Sequence, residues 1–276
     1  MTTFDFELVG KIGSMALINK QDNDIDYNVF SRIGRELCPG MIWVSSGAAE
    51  VGRLDYMKRN NGQELQGDNE DKKTDYAAQG QPILMKNYRR FIPPMFHMRQ
   101  LLVEHQHFND PVKRDHIRRF LMRAPQQQAI PIVNYNDPVS SFENRRWEMR
   151  DLQLQGQDVV ECVDNDETAA VISTLVHARY LVILTSTKGI YEDPNDPSTL
   201  VREISGANEN EVVAGIRQYQ ECCHGASRAG ANGARAKLEF SIKPIEAGTT
   251  VMIASAQYRL RDILDGTCEC TRIGVR

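Results

Sequence analysis

No window of this 276-residue chain approaches the roughly 18 consecutive apolar residues of a membrane-spanning helix, so none is expected. Neither sign of charge dominates. The formal net charge of −4 offers no general attraction to nucleic acid, and no nucleic-acid or membrane partner is expected. The six cysteines (Cys38, Cys162, Cys222, Cys223, Cys268 and Cys270) lack metal-ligand or redox spacing and read as free thiols. Acidic residues stand in Met1–Glu7 where a secretory leader would be basic, and the thiols suit a reducing compartment, so the expected location is cytoplasmic. There is no Gly-x-x-x-x-Gly-Lys-Ser/Thr run, which excludes the commonest phosphate-binding loop. No internal repeat and no Pro- or Gly-rich linker divides the chain, and one domain over 1–276 is expected.

What the chain does hold is a series of short polar signatures, each placed where an apolar run ends. They are Lys11-Ile12-Gly13-Ser14, Val44-Ser45-Ser46-Gly47-Ala48, Asn134-Tyr135-Asn136-Asp137, Asp164-Asn165-Asp166, and the stretch from Thr185 to Pro194. Strands that end in Gly, Ser, Asn and Asp are the pattern of an open α/β sheet that binds ligand at its carboxyl edge. The spacing predicts strands at 6–12, 41–44, 129–133, 180–184 and 250–254. Helices are predicted at 27–37, 168–177 and 237–247, with a further helix start at Asn208-x-x-Glu211. The run Lys113–Arg119, with Ile117, Phe120 and Leu121 at helical spacing, reads as a helix with a solvated or subunit-contacting basic face, with polyanion binding as the alternative. The polar segment 58–75 reads as either a solvated insertion or a mobile lid.

Each signature has a plain and a functional reading. Gly13 lets the backbone approach a phosphate and Lys11 adds charge, yet a strand-end Lys and Gly also make an ordinary turn. Ser45-Ser46-Gly47 supplies hydroxyls and N–H groups suited to a carboxylate or phosphate, or a simple helix cap. Asn165 and Asp166 lead into a helix and would serve there as capping residues in any protein. Asn134 to Pro138 can be a polar turn and nothing more.

Taken in order, these signatures, together with Ala77-Ala78-Gln79-Gly80-Gln81 and the stretch Leu184 to Pro194, resemble the amino acid kinase family over residues 8–254. The resemblance implies a three-layer α/β/α sandwich with a mainly parallel central sheet. The phosphate acceptor would bind in the part up to about residue 175 and ATP in the part from about 176. It implies phosphoryl transfer from ATP, with Mg2+ held mainly by the nucleotide phosphates rather than by protein ligands, to the side-chain carboxylate of glutamate or a related amino acid. Lys11 and Lys237 would match the lysines that contact the transferring phosphoryl oxygens, and Asp166 the aspartate that holds them. Ser46, Gly47, Asn134, Asp137 and Asn165 would bind the acceptor. Gly13, Ser14, Thr185, Ser186, Lys188, Gly189, Tyr191 and Gly233 would line the nucleotide site. A homo-oligomer is also implied.

The chain departs from the family pattern at Ser186, where an aspartate is usual, at Tyr135, where a glutamate is usual, and across Ala226–Ala231, which replaces a Gly-rich run. Arg145, Arg146 and Arg150, with Trp147, decorate the link before Asp164. Two other readings therefore stand beside the first. One is a kinase of the same fold acting on a phosphorylated metabolite or nucleoside monophosphate, since Arg forks suit phosphate. The other is a nucleotide- or anion-binding protein of this fold without turnover.

Overall fold

The computed structural model describes residues 3–140, 149–150, 152, 159–162, 164–222 and 233–276. The chain begins with β1 (Phe6–Ile12), a small ribbon of β2 (Ile18–Asn19) and β3 (Asp24–Ile25), and α1 (Tyr27–Glu36). Next come β4 (Met41–Ser45), α2 (Ala48–Arg59), α3 (Asn69–Phe91), β5 (His97–Val103), α4 (His105–Asn109), α5 (Pro111–Arg123) and β6 (Ala129–Tyr135). The later part holds α6 (Asn165–Leu175), β7 (Ala178–Thr185), the ribbon β8 (Ile190–Tyr191) and β9 (Leu200–Val201), and β10 (Glu203–Gly206). It closes with α7 (Glu209–Cys222), α8 (Gly233–Glu246), β11 (Thr250–Ser255), α9 (Leu260–Leu264) and β12 (Cys270–Val275).

Eight strands form one sheet in the order β10-β12-β11-β7-β1-β4-β6-β5. From β11 to β5 all neighbours pair parallel, whereas β12 runs antiparallel to β11 and β10 follows β12. The central strands are apolar on both faces, as parallel strands covered by helices must be. Every residue of β6 is buried. Val9, Ile42, Val44, Leu181 and Ile183 form one core with helices α4 to α8, while Leu8, Ile12, Trp43, Val182 and Leu184 form the other with α1, α2, α3 and α9. The result is a three-layer α/β/α sandwich with a mainly parallel sheet.

Local chemistry sets the helix starts. Asp26 caps α1 by accepting the N–H groups of Asn28 and Val29, and Asp110 caps α5 ahead of Pro111. The basic run in α5 buries Ile117 and Leu121 and leaves Lys113, Arg114, Arg118 and Arg119 in solvent. The Asn208 cap is also present, although Glu211 reaches the N–H of Ala207 rather than that of the cap.

Segment 58–75 is not a single insertion, because Lys58 and Arg59 end α2 and Asn69 opens α3. Those two helices cross at backbone distance. A Cβ at Gly52 would sit 1.8 Å from the Tyr76 carbonyl oxygen, and one at Gly80 would sit 1.9 Å from that of Ala48. The close crossing presses α3 against the carboxyl edge of β4 and β6. There β1, with β4 on one side and β7 on the other, makes the switch point where open α/β sheets form a crevice.

Candidate active site

Lys11 is the penultimate residue of β1 and lies on the face covered by α6. Asp166, in the first turn of α6, is buried beside it. Lys237, in the first half of α8, comes from the far side of α6. One carboxylate oxygen of Asp166 meets Lys11 Nζ at 2.6 Å, and the other accepts from Lys237 Nζ at 2.7 Å. Burial opposes ionisation of Asp166, but the two ammonium groups outweigh it and hold its carboxyl below the usual carboxylate range. Asp166 is therefore an anion at neutral pH with both oxygens engaged, a clamp rather than a proton carrier. The neighbouring Asp164 caps α6 through the N–H groups of Asp166 and Glu167. Burial, then the charge of Asp166, pushes the Asp164 carboxyl up.

A second cluster adjoins the first through Asn165. Its Nδ2 donates to Asn134 Oδ1 at 2.8 Å and to Ser46 Oγ at 3.1 Å, while Asn134 Nδ2 donates to Gln81 Oε1 at 2.8 Å. The ends of β4 and β6, the start of α6 and the helix α3 are thus tied at one edge. Asn165 Oδ1 and Gln81 Nε2 are buried without a partner among the described residues. Each such orphan costs about 1–3 kcal/mol unless a ligand satisfies it. Gly47 caps α2 in the left-handed region (φ 107°) and has no side chain to offer the helix. The first-turn N–H groups of α2 remain for a ligand.

The remaining residues singled out in the sequence scatter along the same edge. Gly13 follows β1 and donates to Leu184 O at 3.2 Å; a Cβ there would lie 3.8 Å from Lys11 Nζ, in ordinary contact with it. Ser14 opens the short turn 14–17. Asp137 pairs with Lys73 Nζ of α3 at 2.9 Å. Thr185 ends β7, and its carbonyl accepts from Ala256 N at 2.8 Å. Ser186 is exposed, as is Lys188, which pairs with Glu269. Gly189 is buried against Thr271, and Tyr191 is half-buried in β8. Gly233 opens α8 with φ 64°. Arg145, Arg146, Trp147 and Ala226–Ala231 lie outside the described residues. Among the described residues no group of three or more His, Cys, Asp or Glu could hold a metal ion, and Cys38, Cys162, Cys268 and Cys270 are free thiols. No described helix is long and apolar enough to cross a membrane.

The sequence profile of the amino acid kinase family matches residues 7–255. The chain belongs to that family. Glutamate 5-kinase from Halalkalibacterium halodurans is 29% identical over 97% of this chain and 67% of its own length. Glutamate 5-kinase from Clostridium perfringens is 28% identical over 94% of this chain and 91% of its own. That from Shouchella clausii is 28% identical, and the match spans about half of its length, 49%. Among solved structures, carbamate kinase from Giardia lamblia bound to AMP-PNP is similar over 99% of this chain and all of that one, with a TM-score of 0.58 at 15% identity. UMP kinase from Ureaplasma parvum is similar over 98% of each chain, with a TM-score of 0.52 at 11% identity. At these identities the structural likeness speaks for the fold.

Four residues of this candidate site carried no individual role in the sequence. Gln81 stood inside the Ala77–Gln81 signature, and its link to Asn134 needs the α2–α3 crossing to be seen. Asp164 sat beside Asp166 and is legible as a cap once the helix start is known. Lys73 lay in the polar segment 58–75. Tyr88 had no signal beyond its place seven residues after Gln81, on the same stripe of α3.

Proposed function

We propose that the chain is an ATP-dependent phosphotransferase that phosphorylates the side-chain carboxylate of glutamate or a related amino acid. The observation that carries this reading is the Asp166 carboxylate gripping Lys11 and Lys237, one on each oxygen, at the carboxyl edge of the sheet. Phosphoryl transfer asks for positioning and charge neutralisation more than for covalent or acid–base chemistry from the protein. A carboxylate acceptor is already a nucleophile at neutral pH. Its oxygen attacks the γ-phosphorus, the bond to the β-phosphate oxygen breaks, and an acyl phosphate and ADP result. No general base is needed, which suits an Asp166 held ionised with both oxygens occupied.

In this reading Lys11 and Lys237 face the three transferring oxygens, and Asp166 keeps them from turning away. Gly13, whose own N–H is taken by Leu184 O, lets the backbone come close to the phosphates, and Ser14 leaves its backbone donor beside Lys11 for them. Thr185, Ser186, Lys188, Gly189, Tyr191 and Gly233, all beyond residue 175, line the nucleotide side. The open N-terminus of α2 at Ser46 and Gly47 takes the α-carboxylate of the acceptor. Asn134 and Asn165 orient it, with the unpaired Asn165 Oδ1 as one acceptor for its donors. Asp137 meets the ammonium group, which displaces Lys73. Magnesium would arrive with ATP and neutralise phosphate charge.

The test is ATP turnover across a panel of amino acids and phosphorylated metabolites, with hydroxylamine trapping any acyl phosphate. Hydroxamate formation with glutamate is the expected result. Turnover only with a phosphorylated acceptor, lost on changing the exposed Arg150, would put the second kinase reading in its place. ATP binding without turnover on any acceptor would leave a binding protein.

A further inference from the structure

A buried chain of hydrogen bonds runs from the core to the Ser46–Gly47 turn, and the direction of each bond is fixed by chemistry. Trp43 Nε1 lies 2.9 Å from Tyr88 Oη, and an indole N–H can only donate. Ser45 Oγ lies 3.0 Å from the Ser46 carbonyl oxygen, which can only accept, so the single Ser45 hydroxyl proton is committed there. The remaining contact, Ser45 Oγ to Tyr88 Oη at 2.8 Å, therefore has Tyr88 as its donor. The relay reads Trp43 N–H to Tyr88 O–H to Ser45 O–H to Ser46 C=O. Trp43, Ser45 and Tyr88 are all fully buried, so water does not compete for these bonds.

The far end of the relay sets a backbone donor. The Ser46 N–H is fixed on Ile12 O at 3.1 Å, and its carbonyl is fixed by Ser45. In a trans peptide the N–H points opposite to the C=O, so the Gly47 N–H is turned away from the core. It has no acceptor among the described residues. Glycine at φ 107° would let this peptide plane rotate at little cost, and nothing on Gly47 itself prevents it. The lock has to come from the carbonyl side.

We infer that Tyr88, acting through Ser45, is a positioning residue that holds the Gly47 N–H ready for an anionic oxygen of the acceptor. The inference rests on the acceptor reading above for the identity of that oxygen, and on the hydrogen-bond directions alone for the relay. Tyr88→Phe removes the hydroxyl and keeps the ring, which packs edge-on to Phe30 at 5.0 Å between centroids. The expected result is a shifted Gly47 amide resonance with faster hydrogen exchange. The Michaelis constant for glutamate should rise roughly tenfold, the scale of one hydrogen bond to a charged group. The constant for ATP should stay put.

Ser45→Ala should do the same, Ser45→Thr should restore the wild-type values, and the double variant should be no worse than either single one, because the groups act as a unit. If Tyr88→Phe fails to fold, the Ser45 pair decides alone. An unchanged Gly47 amide in folded variants, or equal rises for both substrates, overturns the relay. If the wild type phosphorylates no amino acid, the functional reading fails, and the amide measurements still judge the relay by themselves.

Discussion

Two places in this molecule hold the same three charges in different surroundings. At the candidate active site one carboxylate, Asp166, sits between two cations, Lys11 and Lys237; on the surface Glu269 sits between Lys188 and Arg202. The Asp166 side chain is 2% exposed and that of Glu269 is 39% exposed. In the first setting little water shares the charges, so the interaction is strong and losing a partner strands a buried ion. In the second, solvent and salt screen the charges, and long side chains surrender rotamer freedom to meet. The charges are equal, and burial decides what each triad can do.

The largest effect follows from stranding the buried anion. Lys11→Ala and Lys237→Ala should each lower turnover by about 10²–10³, the loss measured when one preorganised donor to a developing charge is removed. Lys11→Ala should also cost about 3–5 kcal/mol of stability, as removing one partner of a buried ion pair does. Lys237, whose side chain is less buried, should cost less. Steady-state kinetics and urea unfolding measure both. Wild-type turnover in either variant would remove the lysines from the mechanism.

Acid sharpens the contrast next. The carboxyl of Asp166 is held below its ordinary value of 3.8, so its contribution to stability is fully present above that pH. That contribution is lost as pH falls through the lowered folded value. Asp166→Asn should therefore be less stable than wild type at pH 7, and the gap should close only below pH 3.8. Unfolding midpoints taken from pH 7 down to pH 3 would show it. A gap that closes already near pH 5 would mean that the lysines do not hold Asp166 as the geometry indicates.

Much of this site could be read along the chain because the sheet is parallel. Each of the parallel strands must end at the same edge, so Lys11, Ser46, Asn134 and Thr185 converge without any knowledge of side-chain packing, and Asp166 joins them from the first turn of α6. Lys237 was legible only by resemblance, since Asn232–Lys237 keeps little of the family run beyond Gly233 and the lysine itself. Lys73 and Tyr88 were not legible. Their roles depend on where α3 lies after it crosses α2 at Gly52 and Gly80, a long-range contact that no local spacing encodes. β12 was not read as a strand at all, because Thr271, Arg272 and Gly274 interrupt its apolar residues, and its reversal went with it. Lys188 was singled out only by resemblance, and its partner Glu269 lies 81 residues away.

Asp164 offers a smaller effect of opposite sign. Its carboxyl is pushed up by burial and by Asp166, so the folded protein holds its proton more tightly than the unfolded chain does. The ionised form is then a burden at neutral pH. Asp164→Asn keeps an oxygen for the N–H groups of Asp166 and Glu167 and removes that charge. Stability should rise by about 0.5–1 kcal/mol at neutral pH, within the range of single substitutions. The gain should fade on acidification and vanish below the ordinary value of 3.8, where the wild-type carboxyl is protonated in both states. A variant less stable than wild type at pH 7 would show that the cap prefers the anion.

The smallest effect is expected at the surface triad, and it tests the comparison most directly. Glu269→Gln leaves the shape of the side chain and removes the charge between Lys188 and Arg202. Both cations are exposed and can turn to water, so no ion is stranded and the unfolding midpoint should not move measurably. Lys188, if it faces nucleotide phosphate, should become freer to do so, and the Michaelis constant for ATP should fall slightly at low salt. The change should disappear at high salt, since exposed charges are screened over about 10 Å at 0.1 M ionic strength and over less above it. Two results would break the comparison. A loss of stability like that of Asp166→Asn would mean that exposure does not separate the two triads. A rise in the ATP constant would mean that Glu269 aims Lys188 rather than restrains it, and the surface triad would then be part of the nucleotide site.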